Sequence, residues 1–403
     1  MSTPFSNNRS AKISDLIGMT QSVSDLQSHR VKIRYTESTT VQQGNYMRIT
    51  FPKRGDSFLD CRNIKMRFNL NIASTDDQCC VAGPDVRCLW NRLRVLSGST
   101  VLADISEAST AFALESLVEV STMDSDFSRY LAGQQPVADR VLYKNGREYI
   151  CDIMPKGTLL NCEALLPLSA FGDLHFEIWL EKPERALYSI DDDTSATFSL
   201  SNIELLANYI TSPSISQYFA QNGLKFSTVD ISHRYNPMLS QESLIRCSSS
   251  HQSVSSIVNM IRKVSQIDSI GTPGKFEVFD SGENRADFNV LVNNTLFFEE
   301  NVNSVEQTWK FLTSIFPKAE FSTFFNENYL TTGNILPLWL NAAPSEFSQL
   351  ITSGIKTSAI NSDITFRVKR KLPVTEPLRA DSFIRADAVV YLPSRGSDLK
   401  VNF

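Results

Sequence analysis

The sequence predicts an all-β fold of two tandem antiparallel sandwiches, with short helices confined to the loops and a linker. Three observations carry that prediction. Apolar residues recur with period two in many short runs, no strand–helix–strand rhythm links those runs, and 403 residues exceed what one core of about 150 to 200 residues holds. Phe is frequent at 25 copies, which suits sheets that pack aromatic faces together.

The chain opens with an amphipathic arm over residues 1–30. Ile13, Leu16, Ile17, Met19, Val23 and Leu26 fall on one half of a helix, and Asp15, Ser22 and Asp25 fall largely elsewhere. Such an arm either packs on its own domain or grips a neighbouring subunit or a membrane. From Val31 the period becomes two. Strands are predicted at 31–36 and 46–51, and Ile64, Met66, Phe68, Leu70 and Ile72 alternate with Lys65, Arg67, Asn69 and Asn71 as a half-buried strand. Residues 88–105 fold back on themselves at Ser97, Gly98 and Ser99. A helix is predicted at 109–120, where Ala111, Leu114, Leu117 and Val118 share a face.

Strands resume at 149–154 and 158–166, and Leu174, Phe176, Ile178 and Leu180 then alternate with His175, Glu177 and Trp179. Within 195–210 the parity changes between Leu200 and Ile203, which predicts a β-bulge. The segment SPSISQYFAQNG predicts a short helix closed by Gly223, and the boundary between the sandwiches is set there, giving domains 31–211 and 212–403.

The second half repeats the arrangement, with strands near 224–235, 241–248, 254–262 and 275–280. Phe288, Val290 and Val292 lead into Asn293-Asn294, residues that tolerate the positive φ of a tight hairpin, and Thr295 to Phe298 return. Val305, Trp309, Leu312 and Phe316 lie at helical spacing, with Ser304 and Gln307 placed as a capping box. Late strands fall at 334–340, 364–368 and 382–391. No repeat is visible residue by residue. Segment 254–262 is ambiguous, because Ile257, Val258, Met260 and Ile261 fit strand and helix alike.

Motifs that carry familiar chemistry are largely missing from the sequence. Neither Gly-x-Ser-x-Gly nor a Gly-rich phosphate cradle occurs, and the four histidines form no metal-binding pair. Seven scattered cysteines, odd in number, predict reduced thiols in an intracellular setting. Cys79, Cys80 and Cys88 lack a fourth metal ligand at a usual spacing. Asp191, Asp192 and Asp193 predict a solvated loop rather than a calcium site, and Arg367, Lys369, Arg370 and Lys371 an exposed strand edge rather than a nucleic-acid patch. His175 and His233 are expected at a surface or interface, and the four tryptophans in cores. A net charge of -5 disfavours genome wrapping, and the absence of a signal pattern or long apolar run predicts a soluble, unsecreted protein. No cofactor and no catalytic residue is assigned.

Several segments resemble the double-jelly-roll major capsid proteins of tailless icosahedral DNA viruses, virophages and Polinton-like elements. FPKRGDSFLDCRNIKMRFNLNI is similar to the opening of that family's first roll, and LLPLSAFGDLHFEIWL with FSLSNIELLANYI to its close. PSISQYFAQNGLKFSTVDISHRY resembles the linking helix and the start of the second roll, FNVLVNNTLFF its Asn-rich hairpin, and NSDITFRVKRKL with DSFIRADAVVYLP its closing strands. The hairpin departs from the pattern in having Asn-Asn where Asn-Gly is common. The resemblance implies two tandem jelly rolls, a non-enzymatic chain, and a homotrimer that forms a hexon-like, pseudo-hexagonal capsomer in a virion assembled inside the host cell. It further implies contacts with a penton protein, with an inner membrane through the arm, and no sequence-specific nucleic-acid binding. A single-roll capsid or minor vertex protein is the nearest alternative; residues 1–34 are only weakly basic for a single-roll arm. An all-β carbohydrate-active enzyme is the other.

Overall fold

The computed structural model describes residues 26–53, 55–118, 145–162, 164–251, 253–272, 286–315, 335–340, 363–371, 373–392 and 400–402. Eight principal strands build the first half: β1 (Gln27–Arg34), β2 (Tyr46–Phe51), β3 (Ser57–Ala73), β4 (Trp90–Ser97), β5 (Thr100–Ser106), β6 (Asn145–Asp152), β7 (Leu174–Leu180) and β8 (Thr197–Thr211). They pair as two antiparallel sheets, β1-β8-β3-β6 and β2-β7-β4-β5. The second half has β9 (Leu224–Met238), β10 (Glu242–Arg246), β11 (Val254–Lys263), β12 (Ala286–Val292), β13 (Thr295–Leu296), β14 (Ile335–Trp339), β15 (Ile364–Arg370) and β16 (Leu378–Leu392). Its sheets are β9-β16-β11-β14 and β10-β15-β12-β13. Counted from the start of each half, both halves have the orders 1-8-3-6 and 2-7-4-5. The duplication absent from the residues is therefore present in the topology, as two jelly rolls.

Among the described residues three helices of ten or more residues punctuate the rolls. The first, α1 (Ala108–Val118), lies between β5 and β6; α2 (Pro213–Asn222) links the halves; α3 (Val305–Ile315) lies between β13 and β14. Ser212 caps α2 by accepting from the Ile215 N–H, and Gly223 closes it at φ 66°. At α3 the Ser304 hydroxyl accepts from the Gln307 N–H, while the Gln307 side chain accepts from Asn303, one residue before the N-cap. Among the described residues no strand before α2 pairs with one after it.

Local chemistry explains the turns. The parity change in β8 is a bulge: the register with β3 shifts between Ser201 and Glu204, and Asn202 takes φ 52° so that Leu200 and Ile203 both face inward. Asn293 and Asn294 take φ 53° and 64°, the left-handed pair that a two-residue hairpin requires. Asn294→Val should therefore cost about 1–2 kcal/mol, because a β-branched side chain clashes with its own backbone there. An unchanged denaturation midpoint would refute this account of the turn.

Some expectations need correction. Of the described residues in 158–166, only Leu165 and Leu166 are strand, in a strand that ends at Pro167; Thr158 to Asn161 form a largely buried turn, with the Asn161 side chain donating to the Met154 carbonyl and the Thr158 hydroxyl to that of Pro155. The leucines are buried there, but by a turn whose polar groups are satisfied locally. The run Arg367 to Lys371 is no sheet edge, since β15 pairs with β10 on one side and β12 on the other. Arg367 and Lys369 stand on the outward face of that sheet, and Arg370 is buried. Of the tryptophans, Trp90 is fully buried, whereas Trp179, Trp309 and Trp339 are half-buried. The strand expected at 275–280 lies outside the described residues.

The second roll keeps a core of its own, built on Ile257, Ile261, Ile384, Phe288 and Phe366. The first roll's core does not stop at its last strand. It continues through Ile231, Val258, Met260 and Phe383 of the second half. Strand β11 is thus covered on both faces, every residue from Val254 to Arg262 being buried. That double burial is why its sequence reads continuously apolar and mimics a helix.

Candidate functional site: the buried face between the rolls

The outer face of sheet β9-β16-β11-β14 meets the first roll. Helix α1 lies against it, and Ala111, Leu114, Glu115 and Pro155 of the first half enclose, with Ile231, Val258, Phe383 and Arg385, a gap of about 20 Å³. That is roughly room for one water, so the surfaces are closely fitted. Gly157 lets the backbones touch: it takes φ 83°, its carbonyl accepts from the Val229 N–H at 2.8 Å and from the Thr228 hydroxyl at 2.9 Å, and a Cβ there would meet Val229 at 3.2 Å.

A buried ion cluster holds α1. Arg87 forks onto Asp85 at 2.7–2.9 Å, reaches Glu115 at 3.4 Å and Ser116 at 3.3 Å, and lies 4.4 Å from the Phe112 ring centroid. The second Glu115 oxygen accepts from the Lys156 N–H, so the same carboxylate also ties down the turn that carries Gly157.

A second ion cluster rims the apolar contact and crosses between the halves. Glu107, at φ 53° just before α1, accepts from Arg185 at 3.1 Å and from Arg379 of β16 at 3.0 Å. Arg379 also reaches Asp381, which accepts from Arg262 at 2.6 Å and is hydrogen-bonded to His233 at 2.9 Å. Arg185 extends the chain to Asp268 at 2.5 Å. Burial alone would raise the Asp381 pKa, but Arg262, His233 and Arg379 outweigh it and hold the carboxyl well below its ordinary value. Burial opposes ionisation of Glu107 too, and Arg185 and Arg379 again prevail.

The sequence reading did not single out Glu107, Arg185, Arg262, Arg379 or Asp381. Its one signal was charge inside otherwise apolar strands, Arg262 in β11 and Asp381 in β16, where a charge needs a partner. His233, expected at a surface or interface, is buried against Asp381 in this rim. His175 stands on the outward face, hydrogen-bonded to Thr50. His251 is bonded to both Ser249 and Asp230, and the Ser249 hydroxyl also accepts from the His251 N–H, a local lock on that loop.

Asp193 is engaged by Ser74, Thr75 and Ser195, which hold its carboxyl well below the ordinary value, so that acidic run serves loop closure. All seven cysteines are buried and outside any disulfide, and the described residues contain no group of three or more His, Cys, Asp or Glu suited to a metal. Burial pushes the Cys247 thiol up to about 12. Of the arm residues, Ile13, Leu16, Ile17, Met19 and Val23 lie outside the described residues, and Leu26 packs half-buried against the core. No helix among the described residues is long and apolar enough to cross a membrane.

The other three outward sheet faces differ in kind, being crossed by rows of alternating charge. In register these are Arg34–Glu204–Arg67, Arg48–Glu177–Arg94–Asp104 and Glu242–Lys369–Asp287. Close pairs within them include Arg34 to Glu204 at 3.0 Å and Arg48 to Glu177 at 2.5 Å. Tyr46 stacks on Trp179 at 5.2 Å beside the second row. These rows largely neutralise themselves, unlike the one-signed surface that tracks nucleic-acid phosphates.

No protein-family profile matches the sequence, and no curated protein matches it. Solved structures do match. The chain is similar to the Faustovirus major capsid protein, with TM-score 0.64 and 10% identity over 91% of this chain and 90% of that one. It is similar to VP54 of PBCV-1, as fitted into a reconstruction of the virophage Sputnik, with TM-score 0.63 and 10% identity over 93% and 96%. A third similarity is to a chain of the Sputnik virophage structure, with TM-score 0.57 and 11% identity over 93% and 88%. Near-complete coverage in both directions, the twice-repeated strand order and the resemblance of segments agree: this chain has the double-jelly-roll fold found in those viral proteins.

Proposed function

We propose that the chain is the major capsid protein of an icosahedral virus, a structural subunit and not an enzyme. The observation that carries the reading is the pairing of two rolls of identical strand order across a closely fitted apolar face, in a fold matched end to end by viral capsid proteins. A rigid block of that kind suits a tile. Its work is to present fixed surfaces to copies of itself, and many weak contacts in a closed shell add up through valency.

In this reading the rolls span 31–211 and 212–403, three copies form a pseudo-hexagonal capsomer, and capsomers tile the virion shell after assembly inside the host cell. Arm residues Ile13, Leu16, Ile17, Met19, Val23 and Leu26 would grip a neighbour or an inner membrane, and a penton protein would close the vertices. The self-neutralising charge rows support contacts with protein rather than with a genome. Light scattering and negative-stain imaging of the purified chain test the proposal. Trimers with a six-sided outline are expected; a chain that stays monomeric at its highest soluble concentration would overturn it.

A further inference from the structure

Both rolls place a helix between their fifth and sixth strands, α1 in the first and α3 in the second. Within the chain, α1 and the acidic residue before it, Glu107, dock on the 1-8-3-6 sheet of the other roll, where Glu107 meets Arg379 at 3.0 Å. Among the described residues no helix lies on the counterpart sheet, β1-β8-β3-β6 of the first roll, in this way. On its outer strand Arg30, Lys32 and Arg34 are all exposed, Arg34 while also paired with Glu204 at 3.0 Å, and the inward Val31 and Ile33 are buried. The counterpart of the Glu107 segment is acidic as well: Glu299 and Glu300 precede α3, Glu306 opens it, and all three are exposed.

Resting on the shell-subunit reading, we infer that Glu299, Glu300 and Glu306 of one copy dock against Arg30, Lys32 and Arg34 of another, as the interchain counterpart of the Glu107–Arg379 contact. The contact is heterologous, so it can propagate and close into a ring. The two contacts differ as a permanent and an assembling interface should. Helix α1 is buried from Ala108 to Glu115, sandwiched between the rolls, whereas α3 buries Thr308, Leu312 and Ile315 and keeps Glu306, Gln307 and Lys310 exposed. An interface made of exposed charges forms fast and is screened by salt.

The test is charge reversal with oligomer size read by sedimentation velocity. The chain carrying Glu299→Lys, Glu300→Lys and Glu306→Lys should stay folded by circular dichroism and self-associate at least about tenfold more weakly than wild type. Adding Arg30→Glu, Lys32→Glu and Arg34→Glu to that chain swaps both partners and should restore association. If the second set prevents folding, the acidic-side variant alone decides, since its three residues are exposed. A wild-type oligomer unmoved by the first three substitutions overturns this contact and leaves the shell reading standing. A wild-type chain that never associates sinks both.

Discussion

Asp381→Ala should be among the most damaging single changes in the chain, costing about 3–5 kcal/mol of stability. Asp381 is fully buried and takes Arg262, Arg379 and His233, so its removal strips three cationic or cationisable groups of a shared carboxylate in a place water does not reach. The same residue sets an acid limit. In the folded chain Asp381 and Glu107 both titrate below their ordinary values of 3.8 and 4.5. A carboxyl with a depressed folded pKa binds its proton more readily when unfolded, so its stabilisation is complete above the ordinary value and is lost as pH falls through the depressed one. Wild type should therefore lose stability steeply below about pH 4.5, and Asp381→Ala should show a shallower loss. Urea midpoints at pH 7, 5, 4 and 3 measure both effects. Parallel pH profiles for the two proteins would refute the role given to this carboxylate.

Arg87→Ala should cost a comparable amount, about 3–5 kcal/mol, by a different route. Arg87 is the counter-charge of Asp85, which has no solvent exposure, and of Glu115, and its guanidinium covers Phe112. Without it α1 loses its anchor on the first roll, and the Glu115 bond to Lys156 that positions the Gly157 turn loosens with it. Arg87→Lys keeps the charge and loses the fork, so it should fall between Ala and wild type. Thermal denaturation ranks the three proteins, and hydrogen exchange adds a readout specific to the seam. Amides of α1 and of β9 near Val229 should lose protection together in Arg87→Ala. Protection lost only around residue 87 would show that the cluster does not couple the two rolls.

These effects concentrate where the sequence was least legible. Period-two alternation identified β2 to the residue and the 64–72 part of β3, because a strand's pleat puts apolar side chains on the core face at every second position; it did not mark the opening of β3, where Ser57 to Cys61 are buried on both faces. Turn chemistry was equally local. The Asn293-Asn294 hairpin, the bulge at Asn202 and the α2 cap at Ser212 each follow from residues that tolerate or require a particular φ or a side-chain acceptor.

What the sequence by itself determined, then, was the all-β class, the order of most strands and helices, and the absence of a familiar catalytic motif, since these depend on neighbours a few positions apart. Only the tertiary structure decided which sheet face is buried twice, that β15 is an interior strand, and that Glu107 meets Arg379, 272 residues away. The reason is physical: periodicity reports that a side chain leaves water, and carries no information on which distant surface displaces that water. Pairing of charges across such a surface depends on how two finished sheets lie against each other, which no run of adjacent residues encodes.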